Sequence, residues 1–154
     1  MSTKPKPFTP TQAAILKPLV KVFSGLNTWL YRLTNGKIGG TYLHGIPVLL
    51  LTVTGRKSGR RITVPLTYIQ DGERFVIAAS RTGMDQHPLW YLNLEATPEV
   101  EVQIGSVNRP MRASTADEAE RAHYWPKLVA ANPDYGFYQE RTARRIPVVI
   151  LAPR

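Results

Sequence analysis

Residues 54–61 read Thr-Gly-Arg-Lys-Ser-Gly-Arg-Arg, placing four cations (Arg56, Lys57, Arg60 and Arg61) around two glycines. Glycines let a backbone turn tightly and bring its N–H groups close to a ligand. Arginine presents paired planar donors to phosphate or carboxylate, and lysine adds a point charge. Such a turn is either an anion cradle or a hairpin with a solvated basic tip, and the residues alone leave both readings open. It is not a Walker loop, because no Gly-Lys-Ser/Thr follows at the required spacing.

Three further segments hold groups able to do chemistry. Ala78-Ala79-Ser80-Arg81-Thr82-Gly83 is a turn of small residues. It would admit a flat ligand and offer Ser80 and Arg81 as donors, or it is an ordinary strand-to-loop turn. Residues 87–94 bring Trp90, Tyr91 and Asn93 together, either as an apolar wall with a polar handle beside a cofactor ring or as core. In residues 132–138, Tyr135 and Tyr138 share one face if the segment is helical. A phenol, with a reference pKa of about 10, is a proton donor at neutral pH.

Other chemistries lack their residues. His44, His87 and His123 have no partners at metal-ligand spacing, so no metal site is expected. The chain has no cysteine, which removes a thiolate nucleophile, a Cys-based zinc site and disulfides, and fits a reducing compartment. Neither Gly-x-Ser-x-Gly nor Gly-x-Gly-x-x-Gly occurs. The aromatics are segregated from the basic run, so no nucleic-acid partner is expected.

The elements that must position these groups follow from punctuation and periodicity. Residues 1–8 read as a flexible basic tail ahead of a single domain over 9–154. Thr9-Pro10-Thr11-Gln12 marks a helix start, and the helix runs over about 10–34 with Asn35-Gly36 and Gly39-Gly40 ending it. Ile15, Leu16, Leu19, Val20, Phe23, Leu26, Leu30 and Leu33 recur at helical spacing, with Lys17, Lys21, Ser24, Thr28 and Arg32 opposite. Pro18 is expected to kink or divide it. Strands are expected over 41–44, 47–54, 62–70 and 74–80, with Asp71-Gly72 as a hairpin turn, then over 99–104, 109–114 and 147–151. Helices are expected over 88–96, 117–131 and 134–144. Antiparallel strands interrupted by a few helices give an α+β fold, a sheet curled into a barrel with a helix at each end of the chain.

Charge adds a constraint on partners. The 154 residues carry a formal net charge of +9, and residues 1–70 hold ten basic groups and no acid. That asymmetry points to an anionic ligand, nucleic acid or an anionic membrane surface. No apolar stretch exceeds the eight residues 146–153, far short of a bilayer span. The start MSTKPKPF has no apolar signal core and no glycine at position 2, so a cytoplasmic protein is expected, one that can touch the inner face of the membrane.

Taken in order, Asn27-Thr28-Trp29, Gly39-Gly40-Thr41, Pro47 through Gly59, Pro65-Leu66, Ala78-Ala79-Ser80, Pro88 through Leu94, Tyr124-Trp125-Pro126 and Arg145-Ile146-Pro147 resemble a known set. The chain is similar to the deazaflavin-dependent nitroreductase family, split β-barrel oxidoreductases of actinobacteria with an FMN-binding-like fold. The likeness implies coenzyme F-420 (hereafter F420), an 8-hydroxy-5-deazaflavin with a phosphate and a polyglutamate tail, which would explain the charge. By resemblance, Arg56, Lys57 and Ser58 bind the phosphate and tail. Thr63, Val64, Pro65, Leu66 and Thr67, then Ala78, Ala79, Ser80 and Arg81, then Leu89, Trp90, Tyr91, Leu92 and Asn93 line the deazaflavin and its ribityl chain. Tyr135 and Tyr138 close the substrate side, Tyr135 also touching cofactor, and Ser80, Tyr135 and Tyr138 are the catalytic candidates. The implied reaction is hydride transfer from reduced F420 to a hydrophobic acceptor, foremost a menaquinone-like quinone, with nitro compounds or activated enones beside it.

Some positions depart from the family's nitro-active members. Those carry aromatics where this chain has Thr67, Asn132 and Arg141, and an Arg where Ile62 stands, although Arg60 and Arg61 adjoin it. A more open or polar pocket is expected, and quinones rather than nitroimidazoles as acceptors. The competing readings are a non-catalytic anion- or nucleic-acid-binding barrel and an FMN- or haem-binding split barrel. The N-terminal helix either packs its apolar stripe on the barrel, the favoured reading, or rests on an anionic membrane through Trp29 and its Lys17/Lys21/Arg32 face. The oligomeric state is not set by the sequence.

Overall fold

The computed structural model describes residues 6–154, so the start of the expected tail, Lys4 included, lies outside the described residues. At the tail's end, the Arg141 guanidinium sits 4.4 Å from the ring centroid of Phe8.

Helix α1 spans Pro10–Thr34. Its start is a reciprocal capping box: Gln12 N donates to Thr9 Oγ1 at 3.2 Å and Thr9 N donates to Gln12 Oε1 at 3.0 Å. Asn35, left-handed at φ 51°, ends it, and Gly36 N donates back to Tyr31 O at 2.8 Å. Pro18 lies inside α1 without dividing it. The turn before Pro18 is exposed, so the carbonyl deprived of a helical partner faces water.

The strands are β1 (Thr41–Tyr42), β2 (Ile46–Thr54), β3 (Arg61–Thr67), β4 (Ile69–Asp71), β5 (Arg74–Ala78), β6 (Glu99–Ile104), β7 (Val107–Thr115) and β8 (Val148–Pro153). The expected first strand is cut to two residues by a 3-10 turn at Leu43–Gly45, in which His44 adopts φ 62°. The expected 62–70 strand is two strands broken at Tyr68, because the chain changes partners there. β3 pairs with β2, and β4 pairs with β5. Pairings β2–β6, β6–β7, β7–β8 and β8–β5 are all antiparallel. The sheet therefore curls round until its two ends are joined by one stretch of chain, 61–71.

The barrel interior holds Leu49, Leu51, Val53, Phe75, Ile77, Val100, Val102, Met111, Val149 and Leu151. Helix α2 (Leu89–Ala96) adds Trp90, Tyr91 and Leu94 to this interior. Helices α3 (Glu118–Ala131) and α4 (Asp134–Arg141) lie outside, where Tyr124, Leu128 and Tyr135 pack on Val76, Val148 and Ile150. β2 is apolar along its length because both faces are covered. Leu49, Leu51 and Val53 point inward, while Val48 and Leu50 lie under Tyr31 of α1.

The packing of α1 reverses the favoured expectation. Its buried residues are Thr28 and Tyr31, and Tyr31 Oη accepts a hydrogen bond from Gly105 N at 2.9 Å. Ile15, Leu19, Val22, Leu26, Trp29 and Leu33 face outward, each between 53% and 70% exposed. The polar side is the one turned to the barrel: Arg32 Nη2 donates to Thr63 Oγ1 at 2.9 Å. The Thr28 hydroxyl is buried with no partner among the described residues.

Candidate active site

The basic turn closes on itself before it can present anything. Gly55 N donates to Arg60 O and Gly59 N to Gly55 O, both at 2.8 Å. Ser58 Oγ accepts from Arg60 N at 3.2 Å. A side chain at Gly55 would sit 2.6 Å from that same oxygen and would have to displace the Ser58 hydroxyl. Arg56 N donates to Oδ1 of the buried Asn93 at 3.1 Å, which pins the turn to α2.

The second loop is backbone-strained. Arg81 (φ 44°) and Thr82 (φ 53°) are consecutive left-handed residues without glycine's freedom, followed by Gly83 at φ 77°. Residues held this way persist only where their surroundings over-determine them, and they cluster at functional sites. Here α4 and the chain after it supply the restraint. Arg141 Nη1 donates to Thr82 O at 3.2 Å, and Arg144 reaches Ser80 O at 2.6 Å. The backbone of Tyr138 lies so near Gly83 that an added Cβ would be 2.7 Å from its carbonyl oxygen.

Between these loops lies a cleft of about 550 Å³ lined by Arg56, Arg81, His87, Leu89, Leu92 and Lys17, with Asp85 and Gln86 at its side. Its lining combines three cations with the aliphatic side chains of Leu89 and Leu92. Lys17, which the sequence sets on the polar face of α1, joins Arg56 and Arg81 here, a long-range neighbour that local spacing could not reveal. Asp85, the acid here, is engaged elsewhere, its Oδ1 accepting from Thr142 Oγ1 at 2.9 Å.

The tyrosines stand on α4. Tyr135 is buried, its hydroxyl 2.5 Å from Thr67 Oγ1, and its ring centroid is 6.4 Å from that of Tyr138. Burial pushes the Tyr135 phenol up against the opposing hydrogen bond from Thr67. Burial, reinforced by Asp134, pushes Tyr138 up to about 12. Both are neutral donors at physiological pH.

The remaining expected residues divide by the pleat. Val64, Leu66, Ala79, Trp90 and Tyr91 belong to the barrel interior, and the Tyr91 hydroxyl lies 3.0 Å from Thr115 Oγ1. They shape the wall from behind. Thr63 lies on the other face of β3, its Oγ1 2.8 Å from Thr52 Oγ1; Pro65 and Thr67 share that face with it. Ala78 packs in the outer cluster, and Ser80 is half-buried beside Arg81. Lys57 and Ser58 are exposed on the basic turn. Among the described residues no His/Asp/Glu group is arranged to hold a metal.

A barrel with a cation-lined cleft at its α2 end, a strained loop and paired buried phenols corresponds to a recognised sequence pattern. Residues 24–153 match the profile of the F420H(2)-dependent quinone reductase family. The chain belongs to this family. An F420H(2)-dependent quinone reductase of Mycobacterium tuberculosis is 39% identical over 132 residues, which cover 84% of this chain and 89% of that protein. A solved F420-H2 dependent reductase, FDR-A, superposes with a TM-score of 0.64 at 40% identity, over 68% of this chain and 93% of its own. A pyridoxamine 5'-phosphate oxidase-like structure from Listeria innocua, 18% identical with a TM-score of 0.51 over 70% of this chain and 83% of its own, shares the split-barrel fold alone. The α+β split barrel and the F420-dependent oxidoreductase class expected from sequence therefore stand. The family takes its name from quinone reduction, not nitro reduction.

Proposed function

We propose that this chain catalyses hydride transfer from F420H2 to a quinone-type acceptor. The observation that carries the reading is the cleft whose lining combines Lys17, Arg56 and Arg81 with Leu89 and Leu92. Three cations beside an aliphatic wall fit a ligand with an anionic tail and a flat ring. Arg56 and Arg81, with Lys57 and the Ser58 turn at the mouth, would hold the phosphate and carboxylates. Pro65, Ala78, Ser80, Leu89, Leu92 and Asn93 would border the ring and ribityl chain, with Thr63 and Thr67 along β3 and Val64, Leu66, Ala79, Trp90 and Tyr91 packed behind.

Reduced F420, when bound, supplies a hydride as a two-electron donor. The protein's part is to orient the reactants, exclude water and meet the negative charge that grows on the acceptor oxygen. Ser80 beside the strained loop and Tyr135 and Tyr138 on α4, which stand outside the cleft's lining, would be the neutral hydroxyl donors for that last task. Binding is tested by fluorescence titration with oxidised F420, and saturable binding at micromolar cofactor is expected. Absence of binding would favour a non-catalytic anion-binding barrel or an FMN- or haem-binding one, readings that family membership disfavours.

The acceptor side carries a second element of the proposal. A lipid quinone resides in a membrane, and α1 turns a stripe of six large apolar side chains outward over about 27 Å of helix. No helix of the described residues is long and apolar enough to cross a bilayer. We therefore place α1 flat at an anionic membrane surface, stripe down and barrel above. Lys17 and Arg32 serve the barrel side in this arrangement and not the lipid side. Sedimentation with anionic vesicles tests it, and a second copy of the chain on the stripe would show instead as a vesicle-independent dimer.

A further inference from the structure

Arg144 stands outside every reading of the site drawn from sequence, yet its guanidinium is the most heavily used donor group around the second loop. Nε donates to Met84 O at 2.7 Å, Nη1 to Ala79 O at 3.1 Å, and Nη2 to Ser80 O at 2.6 Å. Nη1 also meets His87 Nδ1 at 3.1 Å. One planar fork thus ties the strand end at residues 79–80 to the loop's far side at 84 and 87, across the left-handed pair Arg81–Thr82. Its own placement is fixed in turn: Gln139 Nε2 donates to Arg144 O at 2.8 Å, and Arg144 N donates to Thr142 Oγ1 at 3.3 Å.

The restrained loop has a directed product. Arg81 Nη1 donates to His87 O at 3.2 Å and to Gln86 Oε1 at 3.4 Å, while the Arg81 side chain lines the cleft with Arg56. Arg81 and Arg56 line the same cleft with Lys17, so the cations there outnumber the one acid, Asp85, and an anion would offset the excess. Released from its restraints, a left-handed Arg-Thr pair would relax toward ordinary backbone and carry Arg81 away.

We propose that Arg144 is a positioning residue for cofactor binding: its donor fork fixes the Arg81–Thr82 bend and so aims Arg81 into the cleft. This rests on the reading of that cleft as the F420 site. A lysine cannot replace it, since an ammonium is a point charge without the fork needed for three carbonyls in fixed directions.

His87 makes the arrangement sensitive to pH. To meet Arg144, its Nδ1 must accept, which requires the neutral ring. Besides Arg144, the groups facing it are Glu95 and the Tyr91 ring of α2, the latter at 5.0 Å, and Arg81 on its carbonyl. Burial, then Arg144, holds the imidazole below its usual value. Protonation turns the acceptor into a donor against a guanidinium and undoes one corner of the clamp.

The test compares wild type, Arg144→Lys, Arg144→Met, Arg81→Ala and the Arg81→Ala/Arg144→Lys double variant. Melting temperature and the Kd for oxidised F420 are measured for each. The expected result is a Kd raised about tenfold or more in both Arg144 variants. In the Arg81→Ala background, Arg144→Lys should add less than about threefold, because the two act through one side chain. A folded Arg144→Lys protein with wild-type Kd overturns the proposal, as does full additivity in the double variant. Wild-type protein that binds no F420 overturns the functional reading and this role with it. Should Arg144→Met not fold, the lysine variant and the pH profile decide. The wild-type Kd should rise below the His87 transition, whereas His87→Asn, which keeps an acceptor and cannot titrate, should lack that component. Superimposable profiles overturn the assignment of His87 to the clamp.

Discussion

The Tyr135 hydroxyl lies 2.5 Å from Oγ1 of Thr67, a hydrogen bond that joins α4 to the outer face of β3. It gives Thr67 a structural role as the polar partner of a buried phenol. Thr67→Val keeps the shape and removes the partner. It should destabilise the fold by about 1–2 kcal/mol, the cost of leaving a buried polar group under-satisfied. Tyr135→Phe should cost a similar amount, and the double variant less than the sum of the two. Urea unfolding of the four proteins measures this, and strict additivity would show that the bond contributes nothing.

The same two tyrosines set a limit at high pH. Their folded pKa values lie above the ordinary value of about 10, with Tyr138 at about 12. A group whose folded pKa is raised gives stability that is complete below the unfolded pKa and is lost as pH climbs toward the folded one. Denaturation midpoints should therefore be insensitive to these groups between pH 7 and 9 and fall from about pH 10 upward. Tyr138→Phe should flatten that fall, and an unaltered slope would contradict the burial of the phenol.

Two glycines with similar backbone angles should respond differently to alanine. Gly83 (φ 77°) would place a Cβ 2.7 Å from the Tyr138 carbonyl oxygen, whereas Gly59 (φ 68°) has nothing within 4 Å. Gly59→Ala should cost about 1 kcal/mol, from the left-handed backbone alone. Gly83→Ala should cost about 3 kcal/mol or more and weaken F420 binding, because the clash displaces the loop carrying Arg81. Equal losses in thermal unfolding would mean that α4 does not press on this loop.

Reversal of α1 has its own consequence. Leu19→Glu with Leu26→Glu puts two charges on the outward stripe, away from Thr28 and Tyr31, which hold the helix to the barrel. The doubly substituted protein should fold normally and bind F420 as wild type does, yet lose most of its sedimentation with anionic vesicles. Trp29 provides a second signal, a blue-shifted emission on vesicle addition that Trp29→Phe removes. Undiminished sedimentation of the Glu variant would place the membrane contact elsewhere.

Local physics made much of this molecule legible in the sequence. The Thr9/Gln12 capping box, the Asn35-Gly36 stop, the Asp71-Gly72 hairpin and the acid-capped start of α3 are short-range devices, and each stands where the residues put it. The strand break at Tyr68 was hidden because only a closed ring makes the chain change partners there. The orientation of α1 was also hidden. A helical stripe reports that one face is apolar but not whether that face meets the barrel. At the site, residues adjacent in sequence could be named as groups, but the pleat divides them, sending Val64 and Leu66 inward and Thr63 and Thr67 outward. The place of Lys17 in the cleft and the role of Arg144 were hidden for one reason: each meets its partners at the site across 39 residues of chain or more.

The central claim, hydride transfer from F420H2 to a quinone, is tested most directly by anaerobic oxidation of F420H2 with menadione, followed as the return of oxidised deazaflavin absorbance. Protein-dependent, saturable oxidation is expected, faster with menadione than with a nitroimidazole and reduced at least tenfold at subsaturating cofactor by Arg56→Ala or Arg81→Ala. Wild-type protein that binds F420 but leaves F420H2 unoxidised by any quinone, or variants that turn over as wild type does, would contradict the account.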